Sequence, residues 1–231
     1  MANATLPTDW LIEACGGKKK QEMPPVMTIG GITAKVTIFP HGEAGMRVKT
    51  YGIVASRGCS TFRVSDAMRG FIRLLVDYPN VKLAVSGTKL TITAENCSSA
   101  LQYHFPNIEL TDDNLIPDHA QDIHVVVPCA QWLSLWKSIP PKGHVTIVVD
   151  KSRRSVTMKH SRGRWAGAIQ AREKPLQSQT FVGDALTTKR IFSYVVPQST
   201  FATVIFMDCG VLRYTDGCQT IYLAPVVLVE D

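Results

Sequence analysis

The chain has 231 residues, 45% of them hydrophobic and 19% charged, which is enough apolar material for one large core or two small ones. No apolar run reaches the roughly 20 residues a membrane-crossing helix needs. The first residues carry acids and no basic n-region, so a secretory signal is not expected. The net charge of +6 is uneven: residues 1–120 hold 12 Lys and Arg against 11 Asp and Glu, residues 121–231 hold 13 against 8. A basic balance of this kind favours a polyanionic partner.

From the N-terminus, "TDWLIEACGG" (8–17) reads as a short helix stopped by a glycine pair, with Lys18, Lys19 and Lys20 beyond it. Strands rich in β-branched and aromatic residues are predicted at 33–39 and 46–51, with the turn signal "PHGEAG" between them. In "SDAMRGFIRLLVDYP" (65–79), Met68, Phe71, Ile72 and Leu75 fall at i, i+3, i+4 and i+7 behind Ser65 as N-cap. That spacing predicts a helix with one apolar stripe. Strands follow at 81–85, 90–94 and 101–105, and the acidic, polar "TDDNLIPDHAQD" (111–122) reads as a linker. A strand at 123–127 leads into "PCAQWLSLWKSIPPKG" (128–143), where Trp132, Leu135, Trp136 and Ile139 repeat the helical spacing. Strands at 145–149, 156–160 and 165–171 come next. A less regular helix in "TTKRIFSYVVP" (187–197) carries Lys189 and Arg190, and strands at 201–207, 211–215 and 220–223 close the chain.

The two halves share this order. Tyr103-x-x-Pro106 recurs as Tyr222-x-x-Pro225, 119 residues later, and "KLTITAENC" (89–97) parallels "VLRYTDGC" (211–218). Two related α+β domains are expected, 1–110 and 123–231, joined by the loop 111–122, each with helices packed on antiparallel sheet. Arg73 and Lys137 each follow their helix's first apolar anchor by five places. At 100° per residue that sets them about 150° from the buried stripe. With Arg69 they are expected to point away from the sheet. Such cations suit contact with phosphates without base readout, and a merely solvated helix face is the plain alternative.

The six cysteines show no CxxC or other metal-ligand spacing and read as reduced, mostly buried thiols. No GxGxxG after a strand, Walker loop, GxSxG or HExxH is present, and the six histidines are scattered. No catalytic site, metal or cofactor is expected.

"YLAP" (222–225), followed by aliphatics and terminal acids, resembles the chain end of DNA sliding clamps of the proliferating cell nuclear antigen type. "LIPD" (115–118) resembles that family's interdomain loop, and "IHVVVPCAQWLSLWKSI" (123–139) its second-domain strand and helix. The likeness runs from about residue 32 onward at low identity. The chain departs from the family in being basic and short in the linker and before its third helix, and the family's first strand is not recognisable. A diverged member is expected, viral or one of the related processivity-factor clamps.

The resemblance implies a sliding-clamp fold and a homotrimeric ring that encircles double-stranded DNA. It would tether DNA polymerase and other replication and repair proteins through short hydrophobic peptides. It would act in the nucleus or at sites of viral DNA replication, without membrane, metal or cofactor. Arg69, Arg73 and Lys137 would line the hole, with Gly70 where the family has a lysine, and with Lys189, Arg190, Lys18, Lys19 and Lys20 as further DNA-facing cations. Ile116, Pro117, Ala224 and Pro225 would form the partner pocket, with Tyr51 as a wall and Leu115 and Val226 beside it. Gly210 stands where the family has a proline. A strand at 106–111 carrying Glu109, Asp112 and Asp113 would meet the next subunit's 159–171, with Lys159, Arg162, Arg164 and Trp165. The basic stretch 150–165 stays open among hairpin, interface and direct DNA contact. The alternative is a monomeric, DNA-binding polymerase accessory factor of the same fold.

Overall fold

The computed structural model describes residues 1–15, 23–39, 45–96, 98–112, 119–163, 165–193, 195–197, 199–217 and 219–226. The chain forms two compact units. Unit 1 comprises Met1–Phe39 and Val48–Leu115, and unit 2 comprises Pro40–Arg47 and Ile116–Asp231.

Each unit contains the order β-α-β-β-β twice. In unit 1 the first copy is β1 (Ala2–Pro7), α1 (Thr8–Ala14), β2 (Val26–Gly30), β3 (Thr33–Ile38) and β4 (Gly45–Gly52), which the unit boundary divides. The second copy is β5 (Ser60–Arg63), α2 (Asp66–Arg73), β6 (Asn80–Ser86), β7 (Lys89–Glu95) and β8 (Ala100–Phe105). Unit 2 repeats the pattern with β9 (Ile123–Pro128), α3 (Cys129–Ser138), β10 (His144–Val149), β11 (Ser155–His160) and β12 (Ala166–Gln170). Its second copy is β13 (Gln179–Asp184), α4 (Ala185–Ser193), β14 (Phe201–Phe206), β15 (Leu212–Thr215) and β16 (Gln219–Leu223).

The copies are locked by an exchange of first strands. β1 joins the other copy's meander in the order β1-β6-β7-β8, and β5 joins the first in the order β4-β3-β2-β5. In unit 2 the orders are β9-β14-β15-β16 and β12-β11-β10-β13. The registers match as well as the topology. Pro7 pairs with Asn80 and Pro128 with Phe201, each residue of the second pair standing 121 positions after its counterpart. Just beyond, the Thr8 N–H donates to the Pro79 carbonyl (3.1 Å) and the Cys129 N–H to the Thr200 carbonyl (3.0 Å). Pro7 and Pro128 both stand at helix N-caps in extended backbone. A proline lacks the N–H that would continue a ladder, so the strand stops there and the helix begins.

Four strands escape the sequence reading: β1, β2, β5 and β13. In β1 every second residue is buried, but two of those three are alanines, Ala2 and Ala4, so the alternation carries little hydrophobic signal. β5 has only four residues. Helix α1, which the sequence showed with no strand ahead of it, is preceded by β1.

The helices close both cores. Ser65 caps α2 by accepting from the Met68 N–H (3.3 Å), and Met68, Ile72 and Leu75 are buried in unit 1 with Leu11 and Phe62. In unit 2 Trp132, Trp136, Phe192 and Tyr214 form an aromatic centre, with Trp136 stacked on Phe192 (5.1 Å, 14°) and Trp132 parallel to Tyr214 (6.2 Å, 15°). Leu133, not Leu135, completes the buried stripe of α3. Leu135 instead covers Gly167 on β12, where a Cβ would stand 2.7 Å from Leu135 Cδ2. Glycine there lets α3 approach the strand. No described helix is long and apolar enough to cross a membrane.

Candidate nucleic-acid and partner surfaces

The helix surfaces of the two units differ in charge. α1 and α2 carry Asp9, Glu13 and Asp66, with Glu13 paired to Lys49. α3 and α4 contain no acid at all. On α3 the exposed residues Ala130, Gln131, Ser134 and Lys137 share one face, and Arg190 is exposed on α4. Lys142, exposed in the turn after α3, adds a cation that the sequence reading did not select. Its "PPKG" context, a turn directly after a helix, was the available signal.

Two expected DNA-facing cations are used within the fold. Arg69 is 5% exposed, its Nε donating to the Cys15 carbonyl (3.1 Å) and its Nη1 to Asp66 Oδ1 (3.1 Å). It stands 100° round the helix from Met68, on the flank that meets α1, and satisfies a carbonyl left open at the end of that helix. Lys189 is half-buried and its Nζ donates to the Ile139 carbonyl (2.7 Å), at the C-cap of α3. An ammonium there complements the negative end of the helix dipole. Arg73 is half-buried and engaged with a neighbour. Lys18, Lys19 and Lys20 lie outside the described residues.

The expected interface strand at 106–111 is occupied within unit 1. The Arg63 N–H donates to the Glu109 carbonyl (2.9 Å) and the Thr111 N–H to the Thr61 carbonyl (3.0 Å), so residues 109–111 line β5, while the Ile108 N–H donates to the Thr88 carbonyl (2.8 Å). Glu109 also pairs with Arg63 (2.8 Å), and Asp112 is exposed. The outer strand of that sheet's neighbour is β8, at the end of the order β1-β6-β7-β8. On it Tyr103, 49% exposed, contacts Phe105 (4.7 Å) and Phe71 of α2 (5.0 Å). In unit 2 the terminal strand is β12, beside β11 with exposed Lys159, and Arg162 is exposed in the intervening turn. Trp165 does not stand out as an anchor: it packs against the unit 2 core and its Nε1 donates to Ser138 Oγ (3.2 Å). Asp113 and Arg164 lie outside the described residues.

Of the expected partner residues, Tyr51 is half-buried in unit 1 against Trp10, ring centroids 5.5 Å apart. In unit 2 Ala224 and Pro225 are exposed directly after β16, and the Val226 N–H donates to the Val182 carbonyl of β13 (2.9 Å). Gly210 has φ +83°, a backbone that proline cannot adopt. Proline at this position would require a different backbone. Leu115, Ile116 and Pro117 lie outside the described residues.

A cleft of about 750 Å³ opens in unit 1 between the start of α2 and the segment after β8. Its charged walls are the pairs Arg63–Glu109 and Arg69–Asp66, already mutually satisfied. The thiols are less buried than expected. Cys15 and Cys129 are buried and Cys59 and Cys209 exposed, while Cys97 and Cys218 lie outside the described residues. Burial pushes the Cys15 thiol up to about 12, against the pull of Arg69, so it stays protonated and inert. Among the described residues no group of His, Cys, Asp and Glu could hold a metal ion.

Two units built from paired βαβββ copies, with helices packed on antiparallel sheets, make this an α+β protein of the sliding-clamp fold. No protein-family model matches the chain, and no curated protein matches it. Among solved structures it is similar to the H. pylori beta clamp in complex with 5-chloroisatin, at TM-score 0.69 and 10% identity, covering 99% of this chain and 64% of that one. The DNA polymerase III subunit beta from Pseudomonas aeruginosa gives 0.66 at 10% identity, covering 99% and 67%. That from Thermotoga maritima gives 0.66 at 10%, covering 99% and 66%. The chain thus spans about two thirds of the length of these bacterial clamps. At this identity the likeness is one of fold.

Proposed function

We propose that the protein is a sliding clamp, a DNA polymerase processivity factor that encircles duplex DNA without reading its sequence. The observation that carries this reading is the acid-free helix pair of unit 2, which exposes Lys137 and Arg190 on a sliding-clamp fold. Mobile, sequence-independent contact needs cations spaced on a rigid surface and no base-reading groups. The protein acts as a scaffold without a catalytic step. It tethers polymerases and other replication and repair enzymes through short hydrophobic peptides held near Ala224 and Pro225.

Ring closure joins β8 of one copy to β12 of the next. This head-to-tail pairing of two different edges can close into a homotrimer. The second reading, a monomeric accessory factor, is favoured by one specific observation. Glu109 and Trp165, two of the expected interface residues, are already used within their own units.

Lys137→Glu combined with Arg190→Glu tests the DNA contact. Two charge reversals should weaken duplex binding by about tenfold or more near 100 mM salt and flatten its salt dependence, with the circular dichroism spectrum unchanged. Wild-type affinity with the wild-type salt slope would remove the helix layer from the DNA contact.

A further inference from the structure

One strongly basic surface lies away from the helix layer. β10 leaves the end of α3 and runs six residues, about 20 Å, to the turn that joins it to β11. That turn carries Lys151, Arg153 and Arg154, and the segment after β12 carries Arg172 and Lys174, all exposed. Two acids, Asp150 and Glu173, stand among these five cations.

The fold brings the two segments together. The Ala171 N–H donates to the Arg154 carbonyl (3.1 Å) and Arg154 Nε returns a bond to the Ala171 carbonyl (3.0 Å). The Lys151 N–H donates to Ser178 Oγ (2.8 Å). Asp150 shapes its turn: its Oδ1 accepts from the Ser152 N–H (2.8 Å) and hydroxyl (2.7 Å), which hold the carboxyl below its ordinary range. Its Oδ2 lies 3.8 Å from Arg153 Nε, a long contact between largely exposed groups that leaves most of the guanidinium open to solvent. The Arg172 guanidinium lies over the ring of Phe201, 5.3 Å from its centroid, and that ring is itself 41% exposed.

Three guanidinium groups and two ammonium groups on one ridge match a phosphate chain better than a single anion, because arginine meets phosphate oxygens through a planar fork. A guanidinium supported by a surface aromatic also offers a plane for a base, and bases are available to such a plane only where they are unstacked. We propose that this end of the unit 2 sheet, from the β10–β11 turn to Phe201, binds single-stranded nucleic acid along its phosphate backbone. The surface needs neither the ring nor the helix layer, so it can fail or hold independently of the clamp reading. It gives the basic stretch 150–165 a role at its first turn.

The test uses the full chain and a fluorescent thymidine oligonucleotide of about 20 nucleotides, followed by anisotropy between about 50 and 200 mM salt. Arg153→Ala with Arg172→Ala and Lys174→Ala removes three cations and leaves the hydrogen-bonded Arg154 in place. The expected result is a loss of about tenfold or more at the lower salt, with the slope of log affinity against log salt shallower by about two. The Lys137→Glu/Arg190→Glu variant should lose less single-strand affinity than this one. Wild-type affinity and slope in the triple variant would overturn the proposal. So would displacement of the oligonucleotide by poly-glutamate as readily as by unlabelled oligonucleotide, which would make the surface one for acidic peptides.

Discussion

Arg69 carries its charge inside unit 1, where the Cys15 carbonyl and the Asp66 carboxylate take up its donors. Removing it leaves a helix-terminal carbonyl buried without its donor, a loss of about 1–3 kcal/mol. Arg69→Ala should therefore lower the urea-unfolding free energy by that amount and leave the salt dependence of duplex binding unchanged. A flattened salt slope with full stability would return Arg69 to the DNA contact. Lys189 follows the same logic at the end of α3, so the exposed helix cations reduce to Lys137 and Arg190 in unit 2. Spacing alone placed Lys137 outward, as it is, while Arg73, placed the same way, is half-buried and engaged with a neighbour. Arg69, on the flank, depended on whether a neighbouring helix end came to meet it, and no spacing within 65–79 encodes that.

At the scale of elements, the exchange of first strands makes each unit one cooperative body. Neither βαβββ copy has its full four-stranded sheet without a strand from the other. The core of unit 2 depends on the aromatic group at the meeting of α3, α4 and β15, where Trp132 is fully buried among Trp136, Phe192 and Tyr214. Trp132→Ala should cost about 3–5 kcal/mol in denaturant unfolding, the range for deleting a large buried aromatic. A loss under about 1 kcal/mol would mean that the site collapses around the gap and that the stacking contributes little. The two helices with strong apolar stripes were legible because their anchors recur at helical spacing. Strands β1, β2, β5 and β13 were not: β5 has only four residues, β1 and β13 contain small or polar residues, and β1 and β5 owe their place to partner strands far along the chain.

For the whole molecule, the decisive quantity is the mass in solution. The ring reading predicts a trimer by light scattering on a size-exclusion column, and Tyr103→Lys on the open edge of β8 should convert it to monomer. Wild-type protein that stays monomeric at high concentration would favour the accessory-factor reading instead. Sequence alone determined the α+β class, because helical spacing and strand-rich segments follow from local chemistry. The likeness of "YLAP" to the clamp chain end, a resemblance and not a deduction from spacing, pointed to the sliding-clamp fold. The tertiary structure decided which charges remain outside. Arg69, Lys189 and Glu109 are spent on carbonyls and ion pairs, and residues 109–111 are tied to β5 of their own unit. Those outcomes depend on contacts between residues tens of positions apart, where burial and hydrogen bonding, not residue type, settle what a cation or a strand can reach.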